Sequence, residues 1–377
     1  MTRFRVAIAA LLVLSYSIRA EVAPTPRDVS AELRTIVVQN DVPALFVGVV
    51  NESGLVALGA AGVRRKGSPY PVSVDDKIHL GSCTKAMTAT LVAALVEEGV
   101  MTWNDTVSGA FPELVRSMHS KWKSVDVTEL LTHSSGAPTD LNFDGLWERL
   151  WNSRDAPKQQ RLELVRGVTS RAPEAPPGTK YIYSNAGFAI AGAIAEHAAG
   201  APYEDLMHDR LFKPLGMTSA GFGAPGTPDR VDQPRGHTED GDAVEPGHDA
   251  DNPAAIAPAG TVHCSMADWA KFVKLHLDAA MGHPRLLKAE TFATLHSAVN
   301  NFQPQYAMGW AVVNRDWAGG EVLTHNGSNT MWFCVVWVAP RMGFAVMVAC
   351  NQGGKKVQKV VDDAAGTLIR ELSGRAK

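Results

Sequence analysis

The chain has 377 residues, of which 45% are hydrophobic and 20% charged, and its formal net charge is -3. This composition predicts a globular protein with a substantial core and excludes a disordered chain. Because positive charge is neither in excess nor concentrated in a stripe, nucleic acid is not an expected partner.

The first twenty residues have the pattern of a secretory signal peptide. Two arginines precede an apolar run from Val6 to Leu14, and a polar end leads to Ala20. This run is shorter than the about 20 apolar residues of a membrane-spanning helix, and no later stretch reaches that length. We therefore expect cleavage near Ala20, an exported periplasmic or secreted protein without an integral membrane segment, and a domain over residues 24–377. Because Ile18 is a poor cleavage-site residue, an uncleaved anchor is the alternative.

Hydrophobic periodicity predicts strands at both ends of the chain and helices between them. Residues 222–257 are dense in Gly, Pro and Asp, which predicts a long loop that borders a cleft. The pattern indicates an α+β fold, an antiparallel sheet flanked by helices with a mostly helical region at about 110–295 inserted into it. The predicted elements are a helix at 29–38, strands at 44–50 and 55–63, helices at 82–98, within 126–136, at 186–199 and after Ser265, strands at 306–313, 321–325, 331–338 and 344–350, and a helix at 356–372.

The stretch from Gly81 to Met87 lies where an extended segment gives way to a helix. Residues three apart on a helix are neighbours, so Lys85 can approach the hydroxyl of Ser82. A serine must lose its proton to a base as it attacks, and a buried lysine with a lowered pKa can be that base. The helix start also favours negative charge near Ser82. The alternative is an N-cap serine followed by a solvated lysine.

Two later stretches contain groups that could complete such a site. Tyr183 offers a phenol that can move a proton, and Asn185 offers an acceptor and two donors to a substrate amide. The alternative there is an N-cap asparagine beside a core tyrosine. In the second stretch, His325 could contact a polar or anionic group, Gly327 could let a substrate lie against the strand, and the N–H of Ser328 could bind an oxyanion. A hairpin turn is the alternative.

In this order, the three motifs resemble the signature elements of the serine β-lactamase and penicillin-binding-protein superfamily, in its branch of class C-like β-lactamases, D-Ala-D-Ala carboxypeptidases and β-lactamase-fold esterases. Residues 130–136, 211–218 and 258–260 also look like stretches that recur in it, so the resemblance covers nearly all of the mature chain. The motifs are Ser82-x-x-Lys85, Tyr183-x-Asn185 and His325-x-Gly327.

The resemblance implies a role for each matching residue. Ser82 would be the acylated nucleophile and Lys85 its proton partner, while Tyr183 would be the general base for acylation and return the proton to the leaving group. Asn185 would bind the substrate amide, and the N–H groups of Ser82 and Ser328 would form the oxyanion hole. Which of Lys85 and Tyr183 takes the serine proton stays open at this point.

One departure concerns the third motif, where many β-lactamases of this type have Lys-Thr-Gly. Here His325 replaces the lysine, as in the His-x-Gly of peptidases and related hydrolases. Histidine is mostly neutral at pH 7 and holds a carboxylate less firmly than lysine does. Strong β-lactamase activity is therefore not expected.

Rival sites have weaker support. The sequence contains neither Gly-x-Ser-x-Gly nor His-Glu-x-x-His, and we expect no metal at His248 and Asp251 and no cofactor. His133 is expected to be a hydrogen-bonded loop residue and Cys83 a small core residue. Cys334 and Cys350 would face each other if their strands form a hairpin centred on Met342, which makes them a candidate disulfide.

The sequence therefore predicts an exported serine hydrolase that cleaves an amide or ester bond in a peptide-like, β-lactam or small ester substrate through an acyl-enzyme. Two alternatives remain: a non-catalytic penicillin-recognising sensor or binding protein, and a structural homologue used for assembly. Intact motifs argue against the second. Substrate choice is expected to depend on the loops at 138–180 and 222–257.

Overall fold

A seven-stranded sheet brings the two ends of the chain together in the computed structural model, which describes residues 25–299 and 301–375. Its strand order is β1-β3-β2-β12-β11-β10-β9, and neighbours are antiparallel except the two-residue strand β1, which pairs with β3 in parallel. The strands are β1 (Arg27–Asp28), β2 (Ala44–Asn51), β3 (Gly54–Gly62), β4 (Lys77–His79), β5 (Gly221–Phe222), β6 (Gly236–His237), β7 (Ala243–Val244), β8 (Val262–Ser265), β9 (Ala311–Arg315), β10 (Gly320–Ser328), β11 (Phe333–Ala339) and β12 (Phe344–Cys350).

Most helices lie in the segment between the two groups of sheet strands, as the sequence predicts. This arrangement confirms the α+β fold, and the residues expected to form a signal peptide lie outside the described part of the chain. The helices are α1 (Ser30–Asn40), α2 (Thr84–Glu97), α3 (Val107–Ala110), α4 (Val127–Leu131), α5 (Leu146–Asn152), α6 (Pro157–Thr169), α7 (Asn185–Ala199), α8 (Tyr203–Met207), α9 (Lys213–Leu215), α10 (Ala257–Gly260), α11 (Met266–Ala280), α12 (Ala289–His296) and α13 (Lys355–Arg375).

The sheet separates two hydrophobic clusters because side chains alternate between its faces. On β12, Met347 belongs to the larger cluster with α2, α7 and α11, whereas Val348 belongs to the smaller cluster with α1 and α13. The larger cluster carries the motif residues at its edge. No helix in the described residues has the length and apolar character needed to cross a bilayer.

The strand predicted at 306–313 is wrong at its start, because β9 begins only at Ala311. The preceding segment packs beneath α2, where Gly309 has a φ of +81° and a Cβ would lie 2.5 Å from the Cα of Ala86. This close approach pulls residues 306–310 away from the sheet. β10 continues to Ser328, beyond the predicted end at residue 325, so the third motif lies within a strand instead of a hairpin turn.

The proposed pair of Cys334 and Cys350 is also wrong. The observed register pairs Cys334 with Ala349, one residue away from the assumed pairing, and a shift of one residue sends a side chain to the other face. Cys334 therefore belongs to the larger cluster and Cys350 to the smaller, and both are free thiols. The Sγ of Cys334 instead lies 3.6 Å from the Sγ of Cys83, which is buried as predicted.

Candidate active site

Ser82 lies in a tight helical turn, Gly81–Cys83, that leads directly into α2. It is partly exposed, whereas every other residue from Gly81 to Leu95 is buried. The sequence forms this helix because Ala, Leu and Met fill its faces and pack against α7, α10 and α12. Burial of the helix thus leaves the hydroxyl of Ser82 partly exposed at the edge of an apolar core.

Lys85 lies one turn beyond Ser82 and is completely buried. Its Nζ is 3.0 Å from the Oγ of Ser82, 2.7 Å from the Oδ1 of Asn185 and 2.8 Å from the carbonyl oxygen of Ala259. No carboxylate of the described residues pairs with it, and burial lowers its pKa to about 7. A neutral amine fits these contacts, since two N–H groups can donate to Asn185 and Ala259 while the lone pair faces the serine hydroxyl.

Tyr183 and Asn185 are positioned by the N-terminus of α7. The N-cap is Ser184, whose Oγ accepts a hydrogen bond from the N–H of Gly187, so Asn185 is not the capping residue. Asn185 is therefore exposed and free to reach Lys85, whose Nζ also lies 4.8 Å from the ring centre of Tyr183. Burial raises the pKa of Tyr183, and a hydrogen bond with Ser82 partly opposes this effect.

His133 is a buried support of this segment. Its Nδ1 accepts the N–H of Ser184 at 3.1 Å, and its ring lies 4.4 Å from the ring of Tyr183 and 4.6 Å from that of Tyr306, between ring centres. The residue has a positive φ of 57°. Burial holds its pKa well below the usual range, so the ring is neutral. The expected hydrogen-bonded loop residue is confirmed, and it also fixes the backbone between Tyr183 and Asn185.

Glycines let β10 approach the Gly81–Cys83 turn closely. A Cβ on Gly81, which has a φ of +46°, would lie 2.3 Å from the backbone nitrogen of Ser328. A Cβ on Gly327 would lie 2.0 Å from the carbonyl oxygen of Leu80. Gly327 is therefore needed for contact between protein segments, a different reason from the substrate approach that the sequence indicated. The same contact brings the backbone nitrogen of Ser328 next to Gly81, the residue that precedes Ser82.

His325 makes internal contacts through both ring nitrogens. Its Nδ1 lies 2.5 Å from the carbonyl oxygen of Asn326, so this nitrogen carries the proton, and its Nε2 accepts the hydroxyl of Tyr306 at 2.9 Å. Burial and the nearby Lys85 lower the pKa of His325 to about 4. The side chain is thus neutral and occupied, although it lies in the same site as Tyr183, 6.4 Å between ring centres.

The buried pair of His79 and Asp251, next to the Gly81–Cys83 turn, was not predicted. The Nδ1 of His79 accepts the N–H of Gly81 at 3.1 Å, and its Nε2–H donates to Asp251 at 2.7 Å. Asp251 also accepts the N–H of Asn252 and comes from the long loop at 222–257. His248 instead contacts Arg154, so His248 and Asp251 take part in different contacts and do not form one site. Within the described residues, no group of three or more His, Cys, Asp or Glu side chains could hold a metal ion.

A cleft of about 340 Å³ opens beside these residues. β9 pairs with β10 only as far as Thr324, and among the described residues no other strand covers that edge of β10 up to Ser328. A larger cavity of about 540 Å³ lies near Glu321 and Arg341, at the other end of β10, and contains none of the motif residues. The cleft is lined by Tyr181, Tyr183, Pro304, Tyr306, Ala311, Thr324, His325, Asn326, Val335, Trp337 and Asp362.

Comparison with known proteins agrees with this arrangement. Penicillin-binding protein 4 of Amycolatopsis lactamdurans is 28% identical over 89% of this chain and 87% of its own length. The unguisins hydrolase ungD' of Aspergillus campestris is 25% identical over 74% of this chain, which spans only 53% of that protein. The structure of D-alanine carboxypeptidase AmpC from Burkholderia cenocepacia superposes with a TM-score of 0.69, at 22% identity, over 88% of this chain and 96% of that one.

A family model covers the same part of the chain. The family model described as Beta-lactamase matches residues 28–370, which is nearly the whole described chain and includes all three motifs. The relatives and fold neighbours include proteins named as penicillin-binding protein, hydrolase and carboxypeptidase. The chain therefore belongs to the beta-lactamase family, a family of hydrolases and penicillin-binding proteins.

Proposed function

We propose that the protein is a serine hydrolase that forms an acyl-enzyme at Ser82 and cleaves an amide or ester bond of a small or peptide-like substrate. The observation that carries the proposal is the contact of a buried Lys85, whose pKa is lowered to about 7, with the Ser82 hydroxyl at 3.0 Å. A nucleophile within hydrogen-bond reach of a base, itself held by further groups, is the arrangement that covalent catalysis requires.

In the acylation step, the Oγ of Ser82 forms a bond to the substrate carbonyl carbon while its proton passes to the Nζ of Lys85. We assign the base role to Lys85 because its lone pair faces the hydroxyl, whereas burial raises the pKa of Tyr183 and keeps that phenol protonated. Negative charge on the carbonyl oxygen would be stabilised by the N–H groups of Ser82 and Ser328. The close approach of Gly81 to the backbone nitrogen of Ser328 supports this assignment.

In the second step, the bond to the leaving group breaks and the leaving atom takes a proton from the phenol of Tyr183. The Nζ of Lys85 resupplies that proton, so both side chains return to their starting states. A water molecule then attacks the acyl-enzyme with its proton moving along the same path, and the Oγ of Ser82 leaves with a proton. Each proton transfer contributes on the order of a hundredfold or more to the rate.

Substrate orientation depends on Asn185 and on the open edge of β10. Because the Oδ1 of Asn185 accepts from Lys85, its exposed Nδ2 remains to donate to a substrate carbonyl. The backbone of β10 beyond Thr324 can add an extended peptide-like substrate as a further strand. His325 supports this edge through Tyr306 and does not itself present a charge to the substrate.

The alternative function is a penicillin-recognising sensor or binding protein that is acylated but scarcely turned over. It is favoured by the similarity to a protein named penicillin-binding protein 4. The same residues serve acylation in both cases, so the two functions differ in the rate of deacylation alone.

Steady-state hydrolysis of p-nitrophenyl acetate, a D-alanyl p-nitroanilide and a chromogenic cephalosporin tests the proposal. We expect Ser82-dependent turnover of at least one acyl donor, abolished in Ser82→Ala and unchanged in Ser53→Ala, a matched variant at the exposed β2–β3 turn. A burst of one equivalent without turnover would favour the sensor. Equal turnover by wild type and Ser82→Ala would overturn both.

A further inference from the structure

The cleft beside the motif residues contains a carboxylate that the proposed chemistry does not use. Asp362, on the terminal helix α13, reaches the same cavity as Tyr183, His325 and Asn326. It makes no hydrogen bond or ion pair within the described residues, whereas its neighbour Asp363 pairs with Lys359. An unpaired carboxylate in a cleft of this size is available to a ligand.

No positive charge in the cleft balances Asp362. The eleven residues that line it include no lysine or arginine, and His325 is neutral because its pKa is lowered to about 4. Lys85 lies behind Tyr183 and is occupied by its own three contacts. Arg315 lies outside the lining, with its guanidinium 5.3 Å from the ring centre of Trp337. The charge of the cleft at neutral pH is therefore negative.

The pKa of Asp362 is that of a carboxylate without a cationic partner. Partial burial raises its pKa, and the nearby Asp363 acts in the same direction. The cleft wall includes the rings of Tyr181, Tyr306 and Trp337, whose faces attract cations. A cleft that contains both a carboxylate and aromatic rings is suited to a substituted ammonium group and repels an anion.

In the proposed reaction, the leaving group would enter this cleft. Tyr183, which would protonate the leaving atom, lines it, whereas Asn185, which would hold the acyl part, does not. Resting on the proposed function, we propose that Asp362 selects the leaving group by charge: the preferred substrates release a cationic or neutral group, and substrates that release a carboxylate-bearing group are disfavoured. A terminal carboxylate next to the scissile bond, as in a D-amino-acid peptide with a free end, would meet repulsion at this point.

Three acetate esters with one acyl group and different charges test this selection. Their leaving groups are 4-trimethylammoniophenol, its neutral isostere 4-tert-butylphenol, and 4-hydroxybenzoate, and kcat/KM reports the acylation step in which the leaving group is still present. Dividing each rate constant of a variant by that of wild type cancels the intrinsic reactivity of the ester. We expect the cation-to-anion ratio of kcat/KM to fall about fivefold in Asp362→Asn, the effect of one partly exposed charge pair.

The matched control is Asp363→Asn, the adjacent carboxylate on the same helix, which Lys359 already pairs. We expect this variant to keep the wild-type ratio, and Asp362→Lys to favour the anionic ester. Ser82-dependent hydrolysis with the same ratio in wild type and Asp362→Asn would overturn the leaving-group proposal and leave the proposed function intact. Hydrolysis that persists in Ser82→Ala, or none by wild type, would overturn the proposed function and this inference with it.

Discussion

The proposed reaction centre, around Ser82 and Lys85, and the cleft beside it are built in opposite ways. At the centre, Lys85 is completely buried, its Nζ contacts Ser82, Asn185 and Ala259, and glycines bring the backbones together. In the cleft, Asp362 and Asn326 are exposed and the edge of β10 is open. A change at the centre therefore disturbs several contacts at once, whereas a change in the cleft alters one interaction.

This difference separates chemistry from selectivity. Proton transfer needs atoms held within hydrogen-bond reach and a base whose pKa is lowered by burial, which only a packed core supplies. Substrate choice needs exposed groups that can vary without unfolding the protein. We expect the effects of substitutions to decrease from the centre to its periphery.

Lys85→Arg should have the largest effect. A guanidinium stays protonated at any pH that the protein tolerates, so it cannot take the proton of Ser82, and kcat/KM should fall on the order of a thousandfold. The control is Lys271→Arg on α11, an exposed lysine that pairs with Asp268. Activity within tenfold of wild type in Lys85→Arg would assign the base role to another residue.

Gly81→Ala should reduce kcat/KM about a hundredfold, which corresponds to the loss of one oxyanion donor. The added methyl group would press on the backbone nitrogen of Ser328, 2.3 Å from the position of the Cβ. Gly99→Ala is the matched control, since Gly99 also has a positive φ, +72°, but no heavy atom within 4 Å of its Cβ position. Thermal unfolding should show backbone strain in both variants, with activity lost only in Gly81→Ala. If the two variants keep equal activity, the close approach has no catalytic role.

The pH profile of kcat/KM should show one ascending limb with a midpoint near 7. Below this pH the amine of Lys85 is protonated and cannot accept a proton, so the rate should fall about tenfold per pH unit, and above it the rate should reach a plateau. His325 adds no limb near 6.5 because its pKa is lowered to about 4. A midpoint near 10 would show that burial does not lower the pKa of Lys85.

Asp251→Asn should have a smaller effect, a loss of about threefold to tenfold in kcat. Asp251 accepts from His79 and from the N–H of Asn252, and an asparagine cannot accept with both of its side-chain atoms. A weaker hydrogen bond to His79 would let the ring shift, and the Gly81–Cys83 turn, which the ring holds through the N–H of Gly81, would move with it. Asp249→Asn is the control, because the side chain of Asp249 is 81% exposed. Equal kcat values for the two variants would limit the pair to a structural role.

The sequence predicts the parts of the site that depend on short-range spacing. Lys85 follows Ser82 by one helical turn, and Asn185 directly precedes the apolar run of α7, so local periodicity is enough to propose their positions. The sheet is predictable for the same reason, since β2, β3, β11 and β12 each have a continuous apolar pattern.

Contacts between distant segments could not be predicted from spacing. Tyr306 contacts His325 from a segment that Gly309 allows to pack against α2, and Asp251 contacts His79 across 172 residues. The cysteine register failed for a related reason, since a one-residue difference in a hairpin changes the face without changing the hydrophobic pattern. The position of His79, three residues before Ser82, was a signal in the sequence that could have prompted a search for an acidic partner.

The most direct test of an acyl-enzyme at Ser82 is the mass of the intact protein after brief exposure to p-nitrophenyl acetate and, separately, to a fluorescent penicillin. Fragmentation of the labelled peptide then locates the acyl group. The proposed acyl-enzyme mechanism predicts one acyl group per chain from at least one reagent, located on Ser82 and absent from Ser82→Ala. An adduct on any other residue, or no adduct with either reagent and none with a general serine-hydrolase probe, would contradict it.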